Sequence, residues 1–270
     1  MGSGPGMDIL DKPQPPPDLR VSYGADANQF VEVRLPHAPG PHAVLINIHG
    51  GYWRAKYDLG HAGHVCEALR GAAPHGAGVA TFNLEYRRVG NAGGGWPGTF
   101  ADIRAAYRFI QQESPRFHLD LNRLVVMGHS AGGQLALCLA AHETSLRRVI
   151  SLAGVLDLKK AYTLHLSNDA VVDFLGGKPD EVPDHYREAD PMELSIPQAR
   201  QWVLHGKDDD VVPPEFSRGY AQRKNSPKTA TAGKSEDVEL VEISHAGHFD
   251  LIDPAAEAFK QVRAAVLAAA

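Results

Sequence analysis

Apolar residues along the chain fall into short runs whose period switches between two and about 3.6. Runs rich in β-branched residues at 29–35, 43–49, 78–84, 123–128, 148–153, 200–205 and 237–243 predict strands. Ala43-Val44-Leu45-Ile46-Asn47-Ile48 and Leu124-Val125-Val126-Met127 are nearly continuous in apolar character, as expected of strands buried on both faces. Helical spacing predicts helices at 60–72, 99–113, 131–143, 215–224 and 254–269, and within 99–113 it places Ile103, Ala106, Tyr107 and Ile110 on one face. Strands alternating with helices predict an α/β fold: a mostly parallel central sheet covered by helices on both faces. Sites in such sheets lie at the carboxyl ends of the strands. The residues just after 48, 84, 128, 153, 205 and 243 should therefore share one rim. Residues 155–198 break the alternation with short apolar pieces among Asp, Pro and Gly, which predicts a small cap insertion over that rim.

The rest of the chain reads as one domain over 25–270. Met-Gly-Ser-Gly-Pro-Gly at 1–6 has the look of a vector-derived scar before a natural start at Met7. Four prolines within 13–17 predict an extended surface arm completing the segment 1–24.

Composition narrows the partners. In 270 residues, 43% hydrophobic and 22% charged, there is enough apolar material for one sizeable core. A formal net charge of −5 and the lack of a basic cluster argue against a nucleic-acid or membrane partner. A small neutral or modestly polar molecule is expected, and a homodimer is left open. Cys66 and Cys138 both fall in apolar helical stretches and offer no disulfide framework, so a reducing cytoplasm is expected. No charged N-terminal region precedes an apolar run, and no apolar stretch approaches the ~20 residues of a membrane span. A soluble protein without a signal peptide is the expectation.

Gly128-His129-Ser130-Ala131-Gly132 follows a predicted strand and opens an Ala/Leu-rich predicted helix. In this context G-x-S-x-G is a nucleophile elbow: a sharp turn lifts the serine Oγ above the sheet, and flanking glycines let the backbone pass. The helix N-terminus favours negative charge nearby. His49-Gly50-Gly51-Tyr52-Trp53 follows an early strand, where backbone N–H groups can receive the oxyanion of acyl transfer. The expected donors are the N–H groups of Gly51, Tyr52 and Ala131, with Gly50 an alternative.

A serine hydroxyl needs an imidazole base, itself oriented by a carboxylate, and in this arrangement the chain order is Ser, then Asp or Glu, then His. Two predicted strand ends carry them. His205-Gly206-Lys207-Asp208-Asp209-Asp210-Val211-Val212-Pro213 offers three aspartates, and Ser244-His245-Ala246-Gly247-His248-Phe249 offers two histidines. Residue chemistry alone leaves the choice within each segment open. His42, His129 and His205 read as structural. His245 and His248 also form an H-x-x-H, but with only Asp250 nearby the pair is weak zinc evidence, and neither metal nor cofactor is expected.

Taken together, His49-Gly50-Gly51-Tyr52-Trp53, Glu85-Tyr86-Arg87, Gly94-Gly95-Trp96-Pro97, Gly128-His129-Ser130-Ala131-Gly132-Gly133 and Gly247-His248-Phe249 resemble the bacterial esterase/kynurenine-formamidase branch of the α/β-hydrolases. They are also similar to the hormone-sensitive-lipase group, and the resemblance runs from about residue 25 to the C-terminus. It implies the α/β-hydrolase fold and a Ser-His-Asp triad. By position it makes Asp209 the acid, three residues after Gly206 with Val212-Pro213 in register, and His248 the base. Tyr52 departs from the lipase HGGG pattern but matches formamidase-like members. Small acyl or aryl esters are the substrates so implied, with aryl formamides, including N-formylkynurenine, as the alternative. Trp53 beside the oxyanion loop, and Leu156, Phe174 and Leu175 in the expected cap, are candidates for an apolar substrate pocket. A non-catalytic receptor on the same fold would not need the ordered Ser, Asp and His present here. A prolyl-oligopeptidase-like peptidase would need a further large domain.

Overall fold

The computed structural model describes residues 7–71, 78–226 and 235–270, so the N-terminal scar expected at 1–6 lies outside the described residues. Eight strands, β1 (Leu19–Ser22), β2 (Phe30–Arg34), β3 (His42–Ile48), β4 (Val79–Leu84), β5 (Leu119–His129), β6 (Arg148–Leu152), β7 (Arg200–Gly206) and β8 (Val238–Ile243), form one sheet in the order β1-β2-β4-β3-β5-β6-β7-β8. The two pairings at the β1 edge are antiparallel and all the others are parallel. Parallel pairing requires crossover connections between successive strands, and the β4-to-β5 connection passes β3 to reach its other side.

Strand side chains alternate between two cores. Val44, Ile46, Ile48 and Val126 pack on one face with Phe100, Ile103, Ala106, Tyr107 and Ile110 of α2 (Gly98–Gln112) and with α3 (Ala131–His142). Ala43, Leu45, Val125 and Met127 face the other side, against Val65, Cys66 and Leu69 of α1 (Gly63–Leu69) and Phe259, Val262 and Val266 of the C-terminal helix. Period-two burial on both faces is what near-continuous apolar strands require. Cys66 and Cys138 are buried free thiols, one in each core, and burial pushes both upward in pKa.

Three differences from the sequence expectation stand out. The sheet begins at Leu19, inside the segment expected to be a surface arm: Leu19 pairs with Val33 and Ser22 with Phe30. Between β6 and β7, residues 155–198 hold three short helices, α4 (Leu158–Thr163), α5 (Ala170–Leu175) and α6 (Pro183–Ala189), where the sequence predicts no element. After α7 (Glu215–Asn225), the last helix, α8, runs over Phe259–Ala269, five residues later than its predicted start. The reason is local: Asp253 Oδ1 accepts the Ala255 N–H at 2.9 Å, holding the Pro254 segment as a turn. Among the described residues, no helix is long and apolar enough to cross a membrane.

Candidate active site

The turn from β5 into α3 holds Ser130 at φ 57°, ψ −120°, a backbone region costing a non-glycine residue on the order of 1–3 kcal/mol. The strain is held by neighbours on both sides. The Ser130 N–H donates to the Leu152 carbonyl at 2.8 Å, and the Ser130 carbonyl accepts the Gly133 N–H at 3.0 Å. Close approach accounts for Gly132: a Cβ there would lie 2.0 Å from the Ile48 carbonyl oxygen and 2.6 Å from that of His49. The first turn of α3 thus rests directly on the end of β3, next to the expected oxyanion loop.

That loop is strained too. Gly51, Tyr52 and Trp53 have φ of 112°, 49° and 57° in succession. A Cβ on Gly50 would come within 3.0 Å of Ser130 Cβ, so the loop runs against the serine. Ala131 opens α3, so its N–H has no acceptor within the helix and faces the same rim. Buried polar contacts anchor the loop from below. The His49 ring bridges the Gly50 carbonyl (2.7 Å) and Glu85 Oε1 (3.1 Å), and it stacks on Tyr86, whose hydroxyl donates to the His49 carbonyl at 2.7 Å. Burial alone would raise the pKa of Glu85, but the His49 imidazole and the Arg88 guanidinium outweigh it and hold the carboxyl low.

Asp209 is the buried member of its run of three, whereas Asp208 and Asp210 are exposed. Its Oδ1 accepts the N–H groups of Val211 (2.9 Å) and Val212 (2.8 Å), and its Oδ2 accepts from His248 Nδ1 at 2.7 Å. Burial acts to raise its pKa; the His205 and His248 imidazoles more than offset that, and the carboxyl lies well below the usual range. Donation from Nδ1 leaves His248 Nε2 available to accept a proton. The other histidine of the segment, His245, is almost fully exposed, 4.0 Å from Asp208. His129 Nε2 donates to the His248 carbonyl at 2.9 Å, and the two rings are 4.5 Å apart. The loop that carries His248 is therefore tied to the residue preceding Ser130. Tyr52 Oη closes the ring of loops by donating to the Val211 carbonyl at 3.0 Å. Among the described residues, no group of three or more His, Cys, Asp or Glu is placed to hold a metal ion.

The residues expected to line a pocket are placed differently. Trp53 and Phe174 are each 1% exposed, and Leu175 and Leu156 are wholly buried. Trp53 stacks on Phe174 with centroids 4.5 Å apart, and its Nε1 donates to Gln134 Oε1 at 2.9 Å. The stacking on Phe174 and the bond to Gln134 thus tie the loop at 50–53 into the core. Gln134 was missed in the sequence. The available signal was a lone amide among the apolar residues of an Ala/Leu-rich helix.

The BD-FAE family profile matches residues 32–223, more than two thirds of the chain. The chain belongs to the BD-FAE family. The matched span contains the loop at 50–53, the turn at Ser130 and Asp209, and ends before His248. Esterase LipC of Mycobacterium tuberculosis is 28% identical over 265 residues, covering 87% of this chain; the chain spans 60% of that relative's length. Kynurenine formamidase of Meyerozyma guilliermondii is 24% identical over 189 residues, 66% of either chain. Among solved structures, a truncated carbohydrate esterase from gut microbiota superposes with TM-score 0.72 at 19% identity, covering 99% of both chains. This BD-FAE member has the α/β-hydrolase fold.

Proposed function

We propose that the protein is a carboxylic ester hydrolase working through Ser130, His248 and Asp209, with no metal or cofactor. One observation carries the reading: a strained elbow serine and a buried His248–Asp209 pair share the rim, joined by the hydrogen bond from His129 to the His248 carbonyl. In the proposed sequence His248 Nε2 takes the Ser130 hydroxyl proton as Oγ bonds to the acyl carbon. The oxyanion accepts from the N–H groups of Gly51, Tyr52 and Ala131. His248 then gives its proton to the leaving alcohol, leaving an acyl-enzyme. Water, deprotonated by the same imidazole, releases the acid and regenerates Ser130. The resemblance to esterases such as LipC supports an ester as substrate.

Segment 155–198 acts as a small cap in this reading, since it carries the Phe174 ring that stacks on the oxyanion loop. The substrate is a small molecule of acyl or aryl type, not a nucleic acid or a membrane lipid. The buried free thiols fit a reducing cytoplasm.

Ser130→Ala is the deciding variant. Hydrolysis of p-nitrophenyl acetate should fall on the order of a millionfold, with the folded state retained. Turnover persisting in a preparation free of host esterases would overturn the proposal. A second reading, aryl formamide hydrolysis, is favoured by the formamidase relative, because the same triad attacks a formamide carbonyl. Comparing kcat/KM for N-formylkynurenine and for acetate and butyrate esters decides between the two.

A further inference from the structure

His205 lies at the end of β7, four residues before Asp209, and its side chain is wholly buried. Its Nδ1 accepts from the Ser217 hydroxyl of α7 at 2.6 Å. Its Nε2 donates to the Val212 carbonyl at 2.9 Å and lies 3.2 Å from Asp209 Oδ2, the same oxygen that accepts from His248. One imidazole therefore does two things. It pins the turn whose Val211 and Val212 N–H groups hold Asp209 Oδ1, and it sets the positive edge of an N–H against Oδ2.

We infer that His205 is a positioning residue of the hydrolytic site, fixing the Asp209 carboxylate and sharing with His248 the oxygen that orients the imidazole. The inference rests on the assignment of Asp209 and His248 made above. A carboxylate whose acceptor sites are already filled by fixed donors needs no reorientation when His248 becomes an imidazolium. A carboxylate with one donor fewer is a stronger partner for that imidazolium, so deleting His205 should raise the pKa of His248.

The other groups around His248 make this readable. Asp209 is held ionised, and the His129 ring, buried first and repelled by His248 second, is neutral. His61, which is within electrostatic reach of His129, is pushed down to about 4, chiefly by burial. Tyr52, raised to about 12 by burial and then by Asp209, stays protonated. Asp250, on His248's own loop, accepts the Gly247 N–H at 2.6 Å. Beyond them, Asp208 and His245 face solvent.

The test is His205→Phe against His205→Gln, whose amide nitrogen can occupy the Nε2 position. Two quantities are followed: the acid limb of kcat/KM for p-nitrophenyl acetate, and the NMR titration of the His248 ring. In His205→Phe the limb and the titration should both move up by about half a pH unit or more. kcat should drop on the order of tenfold to a hundredfold as Asp209 loosens. His205→Gln should return both titrations toward wild type. A limb and titration that stay put in His205→Phe while only thermal stability falls would reduce His205 to a packing residue and overturn the inference, as would a downward shift. If His205→Phe does not fold, Ser217→Ala frees the ring from α7 and should give a smaller shift of the same sign; no shift there overturns the inference equally. Failure of the underlying site assignment looks different: a fluorophosphonate would then leave Ser130 of the wild type unlabelled, while the NMR titration still reports on His205.

Discussion

His129 Nε2 and the His248 carbonyl are joined by a 2.9 Å hydrogen bond, so the side chain next to the elbow serine holds the loop that carries the base. The link begins at a variable position of the G-x-S-x-G motif, which His129 occupies. Among the described residues its Nδ1 is buried without a hydrogen-bond partner, which suits a ring that stays neutral and donates only from Nε2. His129→Phe keeps the ring volume and deletes that donor. It should lower kcat on the order of tenfold or more by loosening the placement of His248, with KM nearly unchanged. Steady-state kinetics decide the point, and a rise in KM at constant kcat would contradict the role.

Three adjacent aspartates offer a sharper contrast. Asp209 is buried with His248 Nδ1 and two amide N–H groups on it, whereas the Asp208 side chain is 64% exposed and lies 4.0 Å from the exposed His245 ring. Asp209→Asn puts an amide NH2 among the donors that surround the carboxylate and favours the wrong imidazole tautomer, so kcat should fall on the order of ten-thousandfold. Asp208→Asn and Asp210→Asn should remain within about twofold of wild type, as expected for surface substitutions away from buried networks. Measured rates for the three variants test the register directly. A severe loss in Asp208→Asn would shift the acid by one residue.

The contrast between these residues also explains what could be read in the sequence. β3 and β5 were legible because burial on both faces leaves a run of apolar side chains that only a central strand needs. β1 was not, because two apolar residues, Leu19 and Val21, on an exposed edge leave no such run. The helices α4 to α6 are too short for a hydrophobic face to declare itself, and α4 relies on an Asp157 cap instead. The elbow is a local motif and could be read as one. Choosing Asp209 over its neighbours needed either a family resemblance or coordinates, since burial of one aspartate among three is a tertiary fact. The sequence reads His205 as structural because nothing in its own segment shows that its Nε2 ends 3.2 Å from Asp209 Oδ2.

Gln134 links segment 155–198 to the loop at 50–53, alongside the direct stacking of Phe174 on Trp53. Its Oε1 accepts from Trp53 Nε1 at 2.9 Å, and its Nε2 donates to the Ala189 carbonyl at 2.8 Å. Cys138 Sγ donates to that same carbonyl at 2.9 Å. Gln134→Leu keeps the volume but leaves the buried Trp53 N–H unsatisfied, which should cost about 1–3 kcal/mol of stability. Because Trp53 sits at φ 57° beside Tyr52, the same variant should also weaken oxyanion binding and lower kcat. Denaturant melts alongside kinetics test both effects. A variant with wild-type kcat and reduced stability would confine Gln134 to the core.

Asp190 makes the attachment of the same segment sensitive to pH. Its carboxylate oxygens accept the N–H groups of Leu158, Lys159 and Met192, fastening the end of α6 to the start of α4. Burial, and then the nearby Asp157, push its pKa up to about 7 in spite of those bonds. In the unfolded chain an aspartate titrates near about 4. A folded pKa above the unfolded one means that the folded state holds the proton more tightly. The resulting stabilisation is complete below about pH 4 and is lost as pH rises through about 7. Asp190→Asn removes the titration while keeping the shape of the side chain. The difference in Tm, wild type minus variant, should therefore be most favourable to wild type near pH 4, decline between pH 4 and 7, and level off above that. Thermal unfolding of both proteins across this range is the measurement. A difference that does not change with pH would mean that Asp190 is not protonated in the folded protein at neutral pH, and that its three backbone bonds suffice to hold the charge.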